Sequence, residues 1–123
     1  MRAFFSLVVE KYSKTTRFCL ICNYVAKIIP ALQSRCTRFR FGPLTDESVS
    51  TKLAEVCVSE GITLEDRASQ AILRLSGGDM RKVLNILESC SLAYRNIPEN
   101  KIYEVTGRPS PESIEQIYNA LTS

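Results

Sequence analysis

From Thr45 onward, the apolar residues of this chain recur at the three- and four-residue spacing of amphipathic helices. Three successive stripes show this spacing, and their members are Leu53, Val56 and Cys57, then Ala68, Ala71, Ile72 and Leu75, then Met80, Val83, Leu84, Leu87 and Cys90. Because each stripe covers only one side of its helix, the three helices must pack together to bury their apolar faces. The pattern therefore predicts a small all-helical unit.

Helix start and stop signals support this prediction. Gly61 follows the first stripe, and "TLED" at 63–66 has the capping-box spacing for a second helix that starts at Thr63. Gly77 and Gly78 end the second helix directly before Asp79, a good N-cap for the third. Two further helices are predicted over residues 99–105 and from "SPES" at 110–113 to the end of the chain.

Residues 1–43 show a different pattern, in which helical and strand periods alternate. Apolar residues recur every four positions in 1–14, which predicts a helix, and the apolar run at 17–24 has the length of a buried parallel strand. Pro30 suits the first turn of a short helix, and residues 37–41 alternate as a second strand. The connection between the two strands is long enough for a right-handed crossover. The first segment is therefore predicted to be α/β with parallel strands.

Arg35 departs from the alternation of the stretch "SRCTRFRF", residues 34–41. If the second strand began there, its guanidinium would point with Phe39 and Phe41 into the core. We therefore predict that Arg35 lies on a loop or helix end before the strand.

Charge is distributed unevenly along the chain. Residues 1–43 carry eight Lys or Arg and one acid, Glu10, for a net charge of +7, whereas residues 44–123 carry eight bases and twelve acids, for a net charge of −4. A basic segment suggests contact with phosphate or with an acidic partner, and a solvated basic surface is the alternative.

Several kinds of chemistry are disfavoured. The chain has no histidine, which excludes Ser/His and Cys/His catalysis. Cys19 and Cys22 form a Cys-x-x-Cys pair, but residues three apart on a strand face opposite sides of a sheet. The five cysteines are interpreted as reduced, buried thiols. No apolar run approaches the roughly 18 residues of a membrane span, and we expect an intracellular protein without a signal peptide.

Two polar residues are candidates for ligand contacts. Asn23 ends the first predicted strand, and ligands of open α/β sheets bind beyond the carboxyl ends of strands. An ordinary strand-end cap is the alternative. Arg81 lies in the first turn of the third helix, where a cation is disfavoured unless an anion lies there too. The alternative is a surface arginine that pairs with Asp79 or Glu88.

Together, "RFCLICNYVAKIIPALQSRCTRFRF" and "SGGDMRKVLNILE" resemble the small subunits of replication factor C, the eukaryotic sliding-clamp loader of the AAA+ family, and most closely the type numbered five in some complexes and three in others. The resemblance implies that residues 1–43 are the C-terminal part of the AAA+ α/β core, 44–107 a helical lid, and 108–123 the start of the collar. It also implies three roles, namely Asn23 as sensor 1, Arg35 as an arginine finger acting in trans, and Arg81 as sensor 2.

The resemblance further implies that ATP and Mg²⁺ act in the intact complex, whose partners are the other subunits, the sliding clamp and primer–template DNA, in the nucleus and without a membrane. The family's phosphate loop, G-x-x-x-x-G-K-[ST], and its acidic Walker B strand do not occur in these 123 residues. We therefore expect a truncated or partial subunit that neither holds nor hydrolyses ATP alone.

Two other functions remain open at this point. One is a non-catalytic module that offers helical surfaces to a protein partner. The other is a basic domain that binds nucleic acid directly, through the first segment or through a helix-turn-helix across Gly77 and Gly78. The third helix weakens the latter interpretation, because it carries as many acids as bases.

Overall fold

The computed structural model describes residues 2–123, with side chains from residue 4 onward. The chain divides into two compact units, one that ends at Phe41 and one that spans Gly42–Ser123. No helix among the described residues combines the length and the apolar character needed to cross a bilayer.

The described part of the first unit contains two α-helices and one short 3₁₀ turn. Helix α1 spans Arg2–Tyr12, the 3₁₀ turn spans Val25–Lys27, and α2 spans Pro30–Gln33. Proline at the first position of α2 fits the prediction, because the fixed φ of proline suits a helix start and its missing N–H is not needed there. Val9 and Leu32 are the buried apolar residues of the described part of this unit.

The two strands predicted in the first unit are not formed. Residues 17–24 and 37–41 have no ladder hydrogen bonds, so the predicted parallel pairing is absent from the described residues. Ile21 is 95% exposed, and Phe39 and Phe41 are 80% and 93% exposed instead of facing a core. The physical reason is that a strand needs a neighbouring backbone for its N–H and C=O groups, and neither segment has one here.

The second unit is built from five helices and one short sheet. The helices are α3 (Asp46–Glu60), α4 (Asp66–Ser76), α5 (Met80–Ala93), α6 (Glu99–Thr106) and α7 (Pro111–Thr122). Strands β1 (Thr63–Leu64) and β2 (Asn96–Ile97) pair in parallel. The second unit is therefore mostly helical, as predicted, and it also contains a short two-stranded parallel sheet that was not predicted.

Most helix boundaries follow the predicted signals. Gly61 and Gly77 end α3 and α4 with φ of 64° and 58°, values that favour glycine. The Asp79 side chain accepts from the backbone N–H groups of Arg81 and Lys82 at 3.0 and 3.4 Å, as expected of an N-cap.

Thr63, however, does not cap the second helix. Its backbone N–H donates to the Arg95 carbonyl at 2.9 Å, which places it in β1 opposite Asn96, and Glu65 is the N-cap of α4. A pairing between residues distant in the sequence replaces the local capping box.

Helix α4 lies at the centre of the second unit and packs against α3, α5 and α6. The buried cluster comprises Val49, Leu53, Cys57, Ala68, Ala71, Ile72, Val83, Leu87, Cys90, Ile97, Ile102 and Tyr103. The predicted packing of three amphipathic helices is confirmed, and α6 adds a fourth to it.

The prediction that all five cysteines are buried is wrong. Cys57 and Cys90 are buried in the helical core, Cys36 is half-buried, and Cys19 and Cys22 are exposed, all as free thiols. The two exposed thiols lie in residues 17–24, where no sheet covers them.

Candidate functional site: the Arg35 groove and the start of helix α5

Arg35 lies in the turn that follows α2, as its break in alternation predicted. Its backbone N–H donates to the Leu32 carbonyl at 3.1 Å, which continues the last turn of the helix. Its Nη2 donates to Oε1 of Glu10 in α1, also at 3.1 Å. The side chains of Arg35 and Glu10 are 46% and 57% exposed, so the ion pair is open to solvent.

An open groove of about 390 Å³ surrounds this ion pair. Its polar lining consists of Glu10, Ser13, Thr16, Arg17 and Arg35. Two guanidinium groups and two hydroxyls against one carboxylate make the groove suited to an anion. Sequence reasoning had not singled out Glu10 or Arg17, although Glu10 is the one acid of the basic segment.

Asn23 lies in a bend at the end of residues 17–24 and is exposed. It is not among the residues that line the Arg35 groove. Because residues 17–24 form no strand, the expected position at the carboxyl end of a sheet is not formed in the described chain, and its role as sensor 1 stays a prediction.

Arg81 is the second residue of α5 and is exposed. Its backbone N–H is held by the Asp79 carboxylate at 3.0 Å, which fixes the backbone from which the side chain projects. The alternative ion pairs with Asp79 or Glu88 are not found in the described part of the chain. Arg81 belongs to the second unit, whereas Asn23 and Arg35 belong to the first.

The residues present do not by themselves fit a nucleoside triphosphate and its metal. No three His, Cys, Asp or Glu side chains among the described residues cluster so that they could hold a metal ion. The backbone cradle and the lysine of a phosphate loop are missing from the sequence.

Comparisons with known proteins cover most of the chain. Residues 51–92, from α3 to α5, match the family described as "RCF1/5-like, AAA+ ATPase lid domain". The chain is 54% identical over 110 residues to replication factor C subunit 3 of Oryza sativa subsp. japonica, which covers 89% of this chain and 30% of that protein. It is 50% identical over 110 residues to replication factor C subunit 5 of Homo sapiens, with 89% and 32% covered.

A more distant relative extends the match. The chain is 44% identical over 119 residues to replication factor C subunit 3 of Saccharomyces cerevisiae, which covers 93% of this chain and 35% of that protein. The chain thus spans about a third of the length of the curated relatives that it matches.

Proposed function

We propose that this chain is the part of a clamp-loader subunit that presents Arg35 to ATP bound in a neighbouring subunit. Over the segment that it spans, the chain belongs to the family of replication factor C subunits numbered three and five. The subunit would take part in ATP-dependent loading of the sliding clamp onto primed DNA during replication and repair. Its partners would be the other replication factor C subunits, the clamp and primer–template DNA, in the nucleus.

The organisation proposed for the chain follows the family. Residues 1–43 would be the C-terminal part of the AAA+ core, 44–107 the lid, and 108–123 the start of the collar. The family match over 51–92 supports the lid assignment, since it lies wholly within 44–107.

The observation that carries the proposed role of Arg35 is its setting in the groove. The side chain projects from a turn, remains 46% exposed, and is held through Nη2 by a carboxylate that is itself 57% exposed. Exposed ion pairs of this kind contribute only about 0 to 1 kcal/mol to stability, so a more highly charged anion can compete with Glu10 for the guanidinium.

The guanidinium suits phosphoryl transfer for a geometrical reason. ATP with Mg²⁺, held by the neighbouring subunit, would supply the phosphoryl group. Arg35 would donate N–H groups from a planar fork to two phosphate oxygens at once and stabilise the charge that develops in the transition state. A lysine ammonium is a point charge and cannot span two oxygens in the same way.

Asn23 and Arg81 are proposed as the sensor residues of the nucleotide that the intact subunit binds. Arg81 is suited to this role because its side chain is exposed and forms no ion pair in the described part of the chain, so its guanidinium can donate to phosphate oxygens. Asn23 offers an amide that can both donate and accept a hydrogen bond.

The test is ATP turnover by a clamp loader reconstituted with a subunit that carries this segment. Replacing Arg35 by Ala or by Lys should slow hydrolysis at one neighbouring site, by about 10³-fold or more at that site for Ala, because trans-acting arginines contribute about 10³ to 10⁵ in rate. Arg38→Ala is the matched control, since Arg38 is also exposed and its Nη2 donates only to Gln33 at 2.7 Å. Arg40→Ala, another exposed arginine of the same segment, should behave like Arg38→Ala.

Far-UV circular dichroism and assembly of each variant serve as the folding control. Arg35 is a turn residue that buries little apolar area, so its replacement should leave both unchanged. Normal turnover at every site with Arg35→Ala would contradict the proposed role, and so would loss of folding, because a structural role would then explain the effect.

A second candidate function is a protein-interaction module, and α7 supports it. Its exposed apolar residues recur at helical spacing and comprise Ile114, Ile117, Tyr118 and Leu121. Such a stripe is typical of a helix that packs against another protein surface. The two functions are separated by the turnover experiment, because a purely interacting module would not need Arg35.

A further inference from the structure

The chain enters the second unit through Pro43 and Leu44, and this segment is held against the glycine turn that precedes α5. The Leu44 backbone N–H donates to the Gly78 carbonyl at 3.1 Å. Leu44 directly precedes Thr45, the N-cap of α3, and Gly78 directly precedes Asp79, the N-cap of α5. One backbone hydrogen bond therefore joins the starts of two helices.

The close approach depends on the missing side chain of Gly78. A Cβ at this position would lie 2.7 Å from the Leu44 carbonyl oxygen and 2.8 Å from Pro43 Cβ. The first atom belongs to the backbone, so the overlap cannot be relieved by a side-chain rotation. Gly78 also has φ of +80°, a conformation that L side chains rarely adopt.

Gly77 provides the internal comparison. It has φ of +58°, so a side chain there meets a similar backbone restriction. A Cβ at Gly77 would have no neighbouring atom within 4 Å. The two adjacent glycines thus differ in whether the entering segment packs against them.

We infer that Gly78 is a positioning residue for Arg81, because it lets the Pro43–Leu44 segment dock against the turn from which α5 starts. Arg81 lies three residues after Gly78, and its backbone N–H is already fixed by the Asp79 carboxylate at 3.0 Å. The Pro43–Leu44 segment is hydrogen-bonded to Gly78, the residue directly before the N-cap Asp79. This contact fixes the position of the first turn of α5 relative to the start of α3. This inference rests on the proposed role of Arg81 in contacting nucleotide.

The first test examines the contact itself in the full chain. Hydrogen exchange of the Leu44 amide should be slow in the wild type and in Gly77→Ala, and fast in Gly78→Ala. The Gly42 amide, which has no hydrogen bond in the described part of the chain, gives the unprotected rate. Exchange of Leu44 as fast as that of Gly42 in the wild type would overturn the inference, whatever the folding of the variants.

The second test asks whether Gly78 acts through Arg81. In a clamp loader reconstituted with a subunit that carries this segment, Gly78→Ala should raise the KM for ATP about tenfold, since small displacements of a contacting group have large effects. Gly77→Ala should change the KM for ATP by less than about twofold. The larger effect of Gly78→Ala is then assigned to the loss of the contact with Pro43 and Leu44. In an Arg81→Ala background, Gly78→Ala should have no further effect on KM.

The outcomes are distinguishable. An unchanged KM with Gly78→Ala, or a full effect that persists without Arg81, would overturn the positioning role and leave the proposed function in place. No effect of Arg81→Ala on KM would instead overturn the proposed role of Arg81, and with it the consequence drawn for Gly78, while the exchange experiment would still report whether the contact exists.

Discussion

Glu10 and Arg35 form an ion pair across 25 residues of sequence, and both side chains stay about half exposed. Glu10 accepts from Nη2 of the guanidinium, and the groups at Nε and Nη1 have no hydrogen-bond partner among the described residues, so they can donate to a ligand. A partner of this kind limits the orientations of a long side chain without holding it strongly. The pair therefore suits an arginine that must exchange one anion for another.

The first prediction concerns the strength of this ion pair. Glu10→Gln should lower the free energy of unfolding by less than about 1 kcal/mol, and the loss should shrink in about 1 M salt because exposed charges are screened. Urea unfolding of the full chain at low and high salt measures the loss of stability and its dependence on salt. The ion pair between Lys52 and Glu55, whose side chains are 58% and 59% exposed, serves as the control. Glu55→Gln should lower the free energy of unfolding by a similar small amount, with the same dependence on salt. A loss above about 3 kcal/mol would instead indicate a buried pair.

A second prediction at this scale concerns the two buried thiols. Burial raises the pKa of the Cys57 and Cys90 thiols above their ordinary value of 9.0. The folded chain therefore holds these protons more tightly than the unfolded chain does. Their contribution to stability should be fully present below about pH 9 and should decrease as the pH rises toward the raised pKa.

The measurement is the free energy of unfolding at about pH 8 and about pH 10. Cys57→Ala together with Cys90→Ala should weaken the decrease between the two pH values. The exposed Cys19 and Cys22 give the control, since replacing them by Ala should leave the decrease unchanged. Lys101, whose pKa is raised by its hydrogen bond to Glu104, contributes in the same direction in every variant. An equal decrease in both double variants would contradict the assignment to the buried thiols.

At the scale of single elements, α5 shows how burial alone distinguishes chemically identical side chains. Leu87 is 3% exposed and belongs to the helical core, whereas Leu92 is 85% exposed on the same helix. Val83 and Cys90, which lie four residues before and three residues after Leu87, are fully buried beside it in the stripe. The helix is therefore held by one face only.

The prediction for α5 compares these two leucines. Leu87→Ala should lower the free energy of unfolding by about 2 to 5 kcal/mol, because it removes buried methyl groups and leaves a cavity. Leu92→Ala should change it by no more than about 0.5 kcal/mol. Chemical denaturation of the two variants measures the difference. Similar losses at both positions would mean that α5 is packed on both faces.

How far sequence patterns predict an element depends on whether its determinants are local. Helices α3, α4 and α5 were predicted because each carries its own apolar stripe and its own glycine or Asp79 boundary. The start of α4 was misplaced at Thr63, since the pairing of Thr63 with Asn96 depends on a segment more than thirty residues away. The strands at 17–24 and 37–41 were not found, because a strand requires partners that its own sequence does not contain.

At the scale of the whole molecule, the proposed nucleotide contacts are divided between two units. Asn23 and Arg35 lie in the first, and Arg81 lies in the second. Their roles were inferred from the resemblance of short motifs, and only the location of Arg35 in a turn followed from the alternation itself. Neither Glu10 as the partner of Arg35 nor Leu44 as the partner of Gly78 could be predicted, because both contacts join residues that are far apart in the sequence.

The groove at Arg35 agrees with the proposal that this segment acts within an assembly. Two arginines and two hydroxyls line this groove, which makes it suited to an anion. Under the proposal, that anion comes with a partner. The central claim is that the partner is the neighbouring subunit and that the anion is its bound ATP.

Single-turnover ATP hydrolysis in a clamp loader with one competent site, the site that faces this subunit, tests this claim most directly. We expect Arg35→Ala to slow the chemical step by about 10³-fold or more while ATP still binds, and Arg38→Ala to leave the rate near that of the wild type. An Arg35→Ala complex that folds, assembles and hydrolyses ATP at the wild-type rate at this site would contradict the claim.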